Sequence, residues 1–350
     1  MKKYFLIAIM IVIGGFIVLK SHRASDNPAF VISEGYTIEV FAQGLDDPRV
    51  IVFDSQNRML VSETSAGRVT VVGKGPIIEN LDNPHGLAFF KNNLYVATTR
   101  EVARYTYDAE NATVDIASKK NIMNLPAGGD HVVRTIGFGK DFRDAPLVAG
   151  LPRGSFLSAI KLYASVGSSC DVCLENTWKY AAILEADPEG TYTAEVAGGL
   201  RASEFFTFHP TTGALWATEQ SRKEFSDEIN IIKPTLKYGW PYCYGKQVRD
   251  ESFTEKTERN DLPMDCAKTE PPEIELPKDT DPLGIAFISP TELLVAYQDK
   301  IVRFDEQKQP HDFITGWQSS RPIDIKINSQ GDIFISDAKA GVIYKVSSVS

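Results

Sequence analysis

The sequence predicts an all-β fold, a six-bladed β-propeller, on three observations. Apolar residues come in short β-branched or alternating runs broken by turn residues, as strands buried in sheets require. No long stretch after the N-terminal leader keeps a helical period. A three-strand unit recurs six times, and repeats of this kind stack as blades around a channel.

The units follow in order. The first runs from Asp47-Pro48-Arg49-Val50-Ile51-Val52-Phe53 through Met59-Leu60-Val61-Ser62-Glu63 to Arg68-Val69-Thr70-Val71-Val72. Pro84-His85-Gly86-Leu87-Ala88-Phe89 opens the second, with 93–98 and 102–105 behind it. The third is 134–139, 161–165 and 180–185; the fourth is 200–208, 214–218 and 228–232. Pro282-Leu283-Gly284-Ile285 opens the fifth, with 292–296 and 300–304, and Arg321-Pro322-Ile323-Asp324 the sixth, with 332–336 and 341–346. A fourth, outer strand hands over to the next blade, as 192–196 does before Leu200. The last unit has no room for one, so 36–41 is expected to supply it; a ring closed in this way has no exposed edge. Residues 24–350 then form one propeller domain. Insertions interrupt the period at 141–159, expected at the opposite mouth of the channel, and at 233–278, a cap or a support.

The chain has 350 residues, 43% of them hydrophobic, enough for a sizeable core. A net charge of −9 without any Lys/Arg run excludes nucleic acid as a general partner, since phosphate binding needs a basic face. Lys2 and Lys3 precede an apolar run over 4–19, followed by Lys20, His22 and Arg23. The run is long for a signal-peptide core and short for a spanning helix of about 20 residues. Residues 1–23 therefore read as a signal peptide or a membrane anchor, and the remainder as periplasmic or otherwise extracytoplasmic. Four cysteines, Cys170, Cys173, Cys243 and Cys266, suit an oxidising compartment. Three pairings are formally open, and proximity favours Cys170 with Cys173 and Cys243 with Cys266; a four-cysteine zinc site is the alternative. Leu174 follows Cys173, which excludes the haem-attachment pattern.

Residues just ahead of the first strand of each blade converge on one mouth of a propeller. Here they are Arg49, His85, His131 with Arg134, Arg201, Asp281 and Arg321. These cations either pair with Asp46, Asp47, Asp130 and Asp281 and plug the channel, or hold a small polyanion, the task for which arginine is preferred. Gly128-Gly129-Asp130-His131 adds an oriented base, His131 beside Asp130. The carboxylates and carbonyls of 219–230 suit a hard cation such as calcium, without EF-hand spacing, and read equally as a solvated charged loop.

Gly128-Gly129-Asp130-His131 with Arg134-Thr135, Ala164-Ser165-Val166-Gly167-Ser168-Ser169-Cys170-Asp171-Val172-Cys173, and Asp227-Glu228-Ile229-Asn230 before Tyr238-Gly239-Trp240-Pro241 resemble the soluble quinoprotein sugar dehydrogenases of the aldose and sorbosone type. Arg321-Pro322-Ile323-Asp324 and Asp337-Ala338-Lys339-Ala340-Gly341 add to the likeness, which spans nearly all of the chain after the leader. The resemblance implies a six-bladed propeller using pyrroloquinoline quinone (PQQ) and Ca2+ to oxidise an aldose or polyol, with hydride passing to the quinone and then electrons to a downstream acceptor. It implies His131 as base, Arg201 at the cofactor, and the backbone of Gln220, Ser221 and Arg222 at the metal; the convergence at the mouth adds Asp130 beside His131, and His85, Arg134 and Arg321 at the cofactor. The chain departs from the family pattern at Ala202-Ser203, where Asn-Pro is usual, and at Ser221-Arg222, where Gly-Pro is usual. Two other classes remain: a metal-dependent lactonase, which needs Glu, Asp and Asn converging on one cation, and a non-catalytic binding module.

Overall fold

The computed structural model describes residues 30–141, 160–255 and 265–349. The leader expected over 1–23, and all of the 141–159 insertion except Asp141, lie outside the described residues. Among the described residues no helix is long and apolar enough to cross a membrane.

Six antiparallel sheets form the six blades of a β-propeller. Blade one is β3 (Pro48–Phe53), β4 (Met59–Glu63), β5 (Arg68–Val71) and β6 (Gly75–Ile78). Blade two is β7 (Leu87–Phe90), β8 (Asn93–Ala97), β9 (Glu101–Asp108) and β10 (Thr113–Asn124); blade three is β11 (Ile136–Lys140), β12 (Ile160–Val166), β13 (Ala182–Ala186) and β14 (Thr193–Gly198). Blade four joins β15 (Phe206–Phe208), β16 (Leu215–Glu219) and β17 (Ser226–Ile232) to β20 (Ile274–Lys278). The 233–278 excursion is thus shorter than expected, since its end is the outer strand of blade four; before that strand it holds the hairpin β18 (Cys243–Tyr244) and β19 (Val248–Arg249).

Blade five is β21 (Ile285–Ser289), β22 (Glu292–Ala296), β23 (Lys300–Phe304) and β24 (Pro310–Thr315), with the short β1 (Val31–Ile32) as an unanticipated fifth strand. Blade six is β25 (Pro322–Ile327), β26 (Ile333–Asp337) and β27 (Val342–Ser348), and β2 (Tyr36–Gln43) pairs antiparallel with β27. Innermost strands are neighbours around the axis: β3 beside β7, β7 beside β11, β15 beside β21, β21 beside β25, and β25 beside β3.

Burial follows position within the blade. Every residue of β4, β16 and β26 is buried, because these strands have a blade on both faces. The outer β2 alternates between half-buried and exposed, as a strand with one wet face does. Blades three and four meet where β11 lacks side chains: a Cβ on Gly139 would stand 2.2 Å from the Phe208 ring, and one on Gly137 3.0 Å from that of Phe206.

A repeated hydroxyl near the end of the second strand stitches neighbouring blades. Ser165 Oγ accepts from Thr135 N (2.9 Å) and donates to Glu204 O (3.2 Å) in the next blade. Thr218 Oγ1 donates to Leu283 O (2.8 Å), and Ser336 Oγ to Arg49 O (2.6 Å) across the join of blades six and one. At that join the carboxylate of fully buried Asp324 also accepts from Ile51 N at 2.9 Å. Each such bond adds about 1 kcal/mol, and together they hold the channel-facing backbone in place.

Candidate active site

The residues ahead of the inner strands share one environment. Arg49 stands in β3, His85 ahead of β7, His131 and Arg134 ahead of β11, Arg201 and Glu204 ahead of β15, Asp281 ahead of β21, and Arg321 directly ahead of β25. Burial pushes the Glu204 carboxyl upward, while the charges of Arg49, Arg321 and Arg134 oppose that rise and Asp281 adds to it. Residues from blades one, three, four, five and six therefore face one another across the axis. A cavity of about 770 Å³ opens there on the side of blades one, five and six, lined by Asp47, Arg49, Asp281, Trp317 and Arg321 among others.

Sequence reasoning left open whether the arginines plug the channel, and they are paired on one side only. Arg49 Nε lies 3.4 Å from Asp47 Oδ1, too poorly aligned for a hydrogen bond, and Arg321 Nη2 donates to Asp281 O at 2.7 Å. The Nε atoms of both arginines, Nδ1 of His85 and Nε2 of His131 are buried without a partner. Buried polar atoms are normally paired, so this cluster of nitrogens is a place for a ligand. Burial, then Arg49 and Arg134, push the His85 imidazole down to about 3; it is neutral and offers one N–H donor.

His131 is held by its backbone. Gly167, at the end of β12, lies so close that an added Cβ would meet His131 Cβ at 2.4 Å. Its side chain is 13% exposed, and burial first, then the charge of Arg201, lower its pKa to about 4. The ring is neutral at neutral pH and able to accept a proton.

Two of its expected neighbours are placed as follows. Asp130 is exposed, and it meets blade three through its backbone, whose N–H donates to Ser169 O at 3.2 Å. The carboxylate beside the imidazole is that of Glu204, with Oε1 4.0 Å from His131 Nδ1. The charges of Asp130 and Asp171 also favour protonation of the imidazole. Arg134 is fully buried and braces its loop, with its Nε left without a hydrogen-bond partner. Its Nη1 donates to His131 O (2.6 Å) and Val133 O (3.0 Å), and its Nη2 to Pro126 O (3.3 Å). Glu204 carried no sequence signal beyond its place at the start of blade four, where Arg201 drew the attention.

Arg201 is likewise mostly committed. Nε donates to Asp171 O (3.1 Å), Nη2 to Asp171 Oδ1 (2.7 Å), and Nη1 to Gln220 O (3.0 Å) and Ser221 O (3.3 Å). Of the five guanidinium N–H groups, one remains for a ligand. Burial works against ionisation of Asp171, yet the hydrogen bond and charge of Arg201, with Arg222 behind it, hold its carboxyl below the usual range. Beneath this layer Glu219 Oε1 accepts from Ala202 N at 3.0 Å and Oε2 from the Ser203 hydroxyl. Ala202-Ser203 is thus anchored downward, where the family's Asn would face the ligand. Burial raises Glu219 to about 7, and burial together with Glu219 raises Glu228 to about 8.

Both disulfides join the cysteines close in sequence, Cys170 with Cys173 and Cys243 with Cys266, and no free cysteine remains for the four-cysteine zinc alternative. The first closes the loop that carries Asp171. The stapled excursion is a support: Trp240 Nε1 donates to Asp171 O at 3.3 Å, Arg222 Nη1 to Asp250 Oδ2, and Phe225 stacks on Tyr244 at 4.3 Å.

The residues present fit the two groups that the family resemblance implies unequally. An anionic quinone fits the unpaired donors of Arg49, Arg321 and His85. Calcium does not fit at Gln220, Ser221 and Arg222. It takes six to eight oxygens; the carbonyl of Arg222 accepts from Phe225 N at 2.8 Å, and those of Gln220 and Ser221 are already bonded to a guanidinium. A unit charge held about 4 Å from that group meets a repulsion of about 4 kcal/mol in a protein surface environment, and a divalent ion about twice that.

The structure is a six-bladed propeller whose mouth carries buried nitrogens without hydrogen-bond partners. The TrAA12-like family model matches residues 30–235, and the chain belongs to that family. It is 27% identical over 252 residues to a pyrroloquinoline quinone-dependent sugar dehydrogenase of Hypocrea jecorina; the match takes in 62% of this chain and 57% of that protein's length. The fold is that of the Trichoderma reesei carbohydrate-active enzyme of family AA12 solved with iodide, with TM-score 0.75, 20% identity, and 92% and 98% of the two chains covered. It is also that of the holo PQQ domain of the Coprinopsis cinerea pyranose dehydrogenase, with TM-score 0.74, 17% identity, and 92% and 97% covered.

Proposed function

We propose that the protein is a quinoprotein sugar dehydrogenase that oxidises an aldose or related polyol with pyrroloquinoline quinone. The observation that carries this reading is the set of buried, unpaired nitrogens at one mouth: Arg49 Nε, Arg321 Nε, His85 Nδ1 and His131 Nε2. The relatives described above support it. When bound, the quinone supplies a two-electron acceptor able to take hydride from carbon.

The protein's own residues do the rest. Arg49 and Arg321 bind carboxylate groups through N–H donors that now lack partners. Neutral His85 adds a donor without adding charge. His131 Nε2 accepts the hydroxyl proton as the C–H bond of the same carbon gives up its electron pair, so a carbinol leaves as a carbonyl compound and a lactol as a lactone. Glu204 stands on the Nδ1 side of the ring, where a carboxylate steadies the imidazolium formed. Residues 1–23 serve as export signal or anchor, with electrons passing to an extracytoplasmic acceptor. Pairing of β2 with β27 supports a ring closed by the N-terminal strand.

The test is calorimetric titration with the quinone, followed by sugar-dependent dye reduction. Micromolar or tighter binding and aldose-dependent turnover are expected. His131→Ala should cut turnover by roughly 10² to 10⁴-fold with quinone affinity and thermal midpoint unchanged. Absence of quinone binding, or full turnover in that variant, refutes the assignment.

A further inference from the structure

We propose that the Arg201 guanidinium, backed by Arg222, takes the place of a divalent cation at this loop, and that the site takes its anionic quinone without one. The inference rests on the quinone reading above for its ligand, but its core claim concerns the loop at Gln220 and Ser221 and stands on the protein alone.

The loop's carbonyls are occupied by a cation that belongs to the chain. Arg201 Nη1 bonds Gln220 O and Ser221 O, and the other edge of the same guanidinium is gripped by the carboxylate and the carbonyl of Asp171. Freeing the carbonyls for a metal therefore means breaking contacts on both edges. Asp171 itself is not free to follow. Its loop is closed by the Cys170–Cys173 disulfide, and Trp240 Nε1 donates to its carbonyl.

The second charge enters from the loop. Arg222 Nε lies 3.4 Å from Asp171 Oδ2, Nη1 bonds Asp250 Oδ2, and Nη2 lies 3.9 Å from Glu224 Oε2. Two guanidinium groups share Asp171, and Arg222 also holds Asp250, so the loop is fixed by internal ion pairs where a metal would otherwise bridge it. The residue is Arg222 where the family's proline has no charge to offer.

Nearby carboxylates are also spent. Asp227 accepts from Ser221 N, Thr280 N, Asp281 N and the Thr280 hydroxyl, at 2.8 to 3.0 Å. Glu219 is engaged by Ala202 and Ser203, and Glu228 by Gly245 N and Asn230 Nδ2. A calcium ion, which wants several oxygens at once, finds each of them facing an N–H or O–H donor.

The experiment has a metal-alone arm and a quinone arm. Titration of calcium into the chelator-treated protein without quinone should give no binding heat and no shift in thermal midpoint. Quinone affinity should agree within about twofold between EGTA and calcium buffers. Arg201→Ala, which vacates both carbonyls and Asp171, should lose at least about tenfold in quinone affinity in EGTA and recover part of it with calcium. Stoichiometric calcium binding to the unsubstituted protein, or release of the quinone by chelator, overturns the proposal. If quinone binds in neither buffer, the functional reading falls and the metal-alone titration still decides this one; the same arm decides it if the variant does not fold.

Discussion

Gly167→Ala puts the placement of His131 to the test with a single methyl group. The new Cβ would lie 2.4 Å from His131 Cβ, 3.1 Å from His131 O and 3.3 Å from Arg201 O. Ordinary carbon contacts begin near 3.5 Å, so the two segments must part by about 1 Å. Gly167 does not sit in the left-handed region, and the effect is therefore steric alone. Overpacking of this kind costs about 1–3 kcal/mol, a drop of a few degrees in thermal midpoint for a chain of this size. Catalysis should suffer more: a misplacement of about 1 Å at a reacting group costs on the order of 10²-fold in rate. The assay is sugar-dependent dye reduction at saturating quinone, with quinone affinity and thermal midpoint measured beside it. Turnover should fall about a hundredfold with quinone affinity within about threefold of the parent. Full turnover and an unchanged midpoint would show that Gly167 and His131 do not touch as described.

Glu204→Gln removes the carboxylate 4.0 Å from His131 Nδ1. The imidazolium loses a negative neighbour while Arg134 and Arg201 remain, so the acid limb of the pH–rate profile should move to lower pH and turnover should drop about tenfold; an unmoved acid limb excludes the pairing. Stability should fall in both pH directions. His131 and His85, with pKa values near 4 and 3 against 6.5, let the unfolded chain take up protons first, so stability is lost as pH falls below 6.5. Glu219 and Glu228, raised to about 7 and 8 from 4.5, stay protonated in the fold while the unfolded chain ionises. Their contribution is whole below pH 4.5 and is lost as pH rises through 7 to 8. Glu228→Gln should remove much of the alkaline loss, worth about 1.4 kcal/mol for each tenfold difference in proton affinity between folded and unfolded chain, because Asn230, whose Oδ1 has no partner, can turn to accept from the new amide. Urea unfolding at about pH 5 and about pH 9 measures it; equal pH slopes in parent and variant would refute the reasoning.

Much of the propeller was legible because its repeats carry local chemistry. Pro-x-Gly opens units two and five, and the glycine is needed: a Cβ at Gly86 would meet Arg134 O at 2.4 Å, and one at Gly284 would meet Ile323 O at 2.6 Å. Ser165, Thr218 and Ser336 recur at one register because each bonds the next blade. The fifth strand of blade five and the outer strand hidden at 274–278 were not legible. Both are short pairings between segments far apart in the chain, with no repeat to announce them.

By itself the sequence determined the all-β unit, its six recurrences, the side of each inner strand that meets the channel mouth and the proximity of each cysteine pair. These follow from patterns a few residues long, whose period matches the strand geometry that reads them. Tertiary structure alone decided what each mouth residue does once there. Arg134 turned inward to brace its loop, Arg201 took the carbonyls a metal was expected to hold, and Glu204 joined Asp130 near His131. A charged side chain takes its role from the partner within about 4 Å; here some partners are backbone carbonyls of the same loop or blade and others, Asp171 and Glu204, come from the neighbouring blade, and residue type alone encodes neither choice.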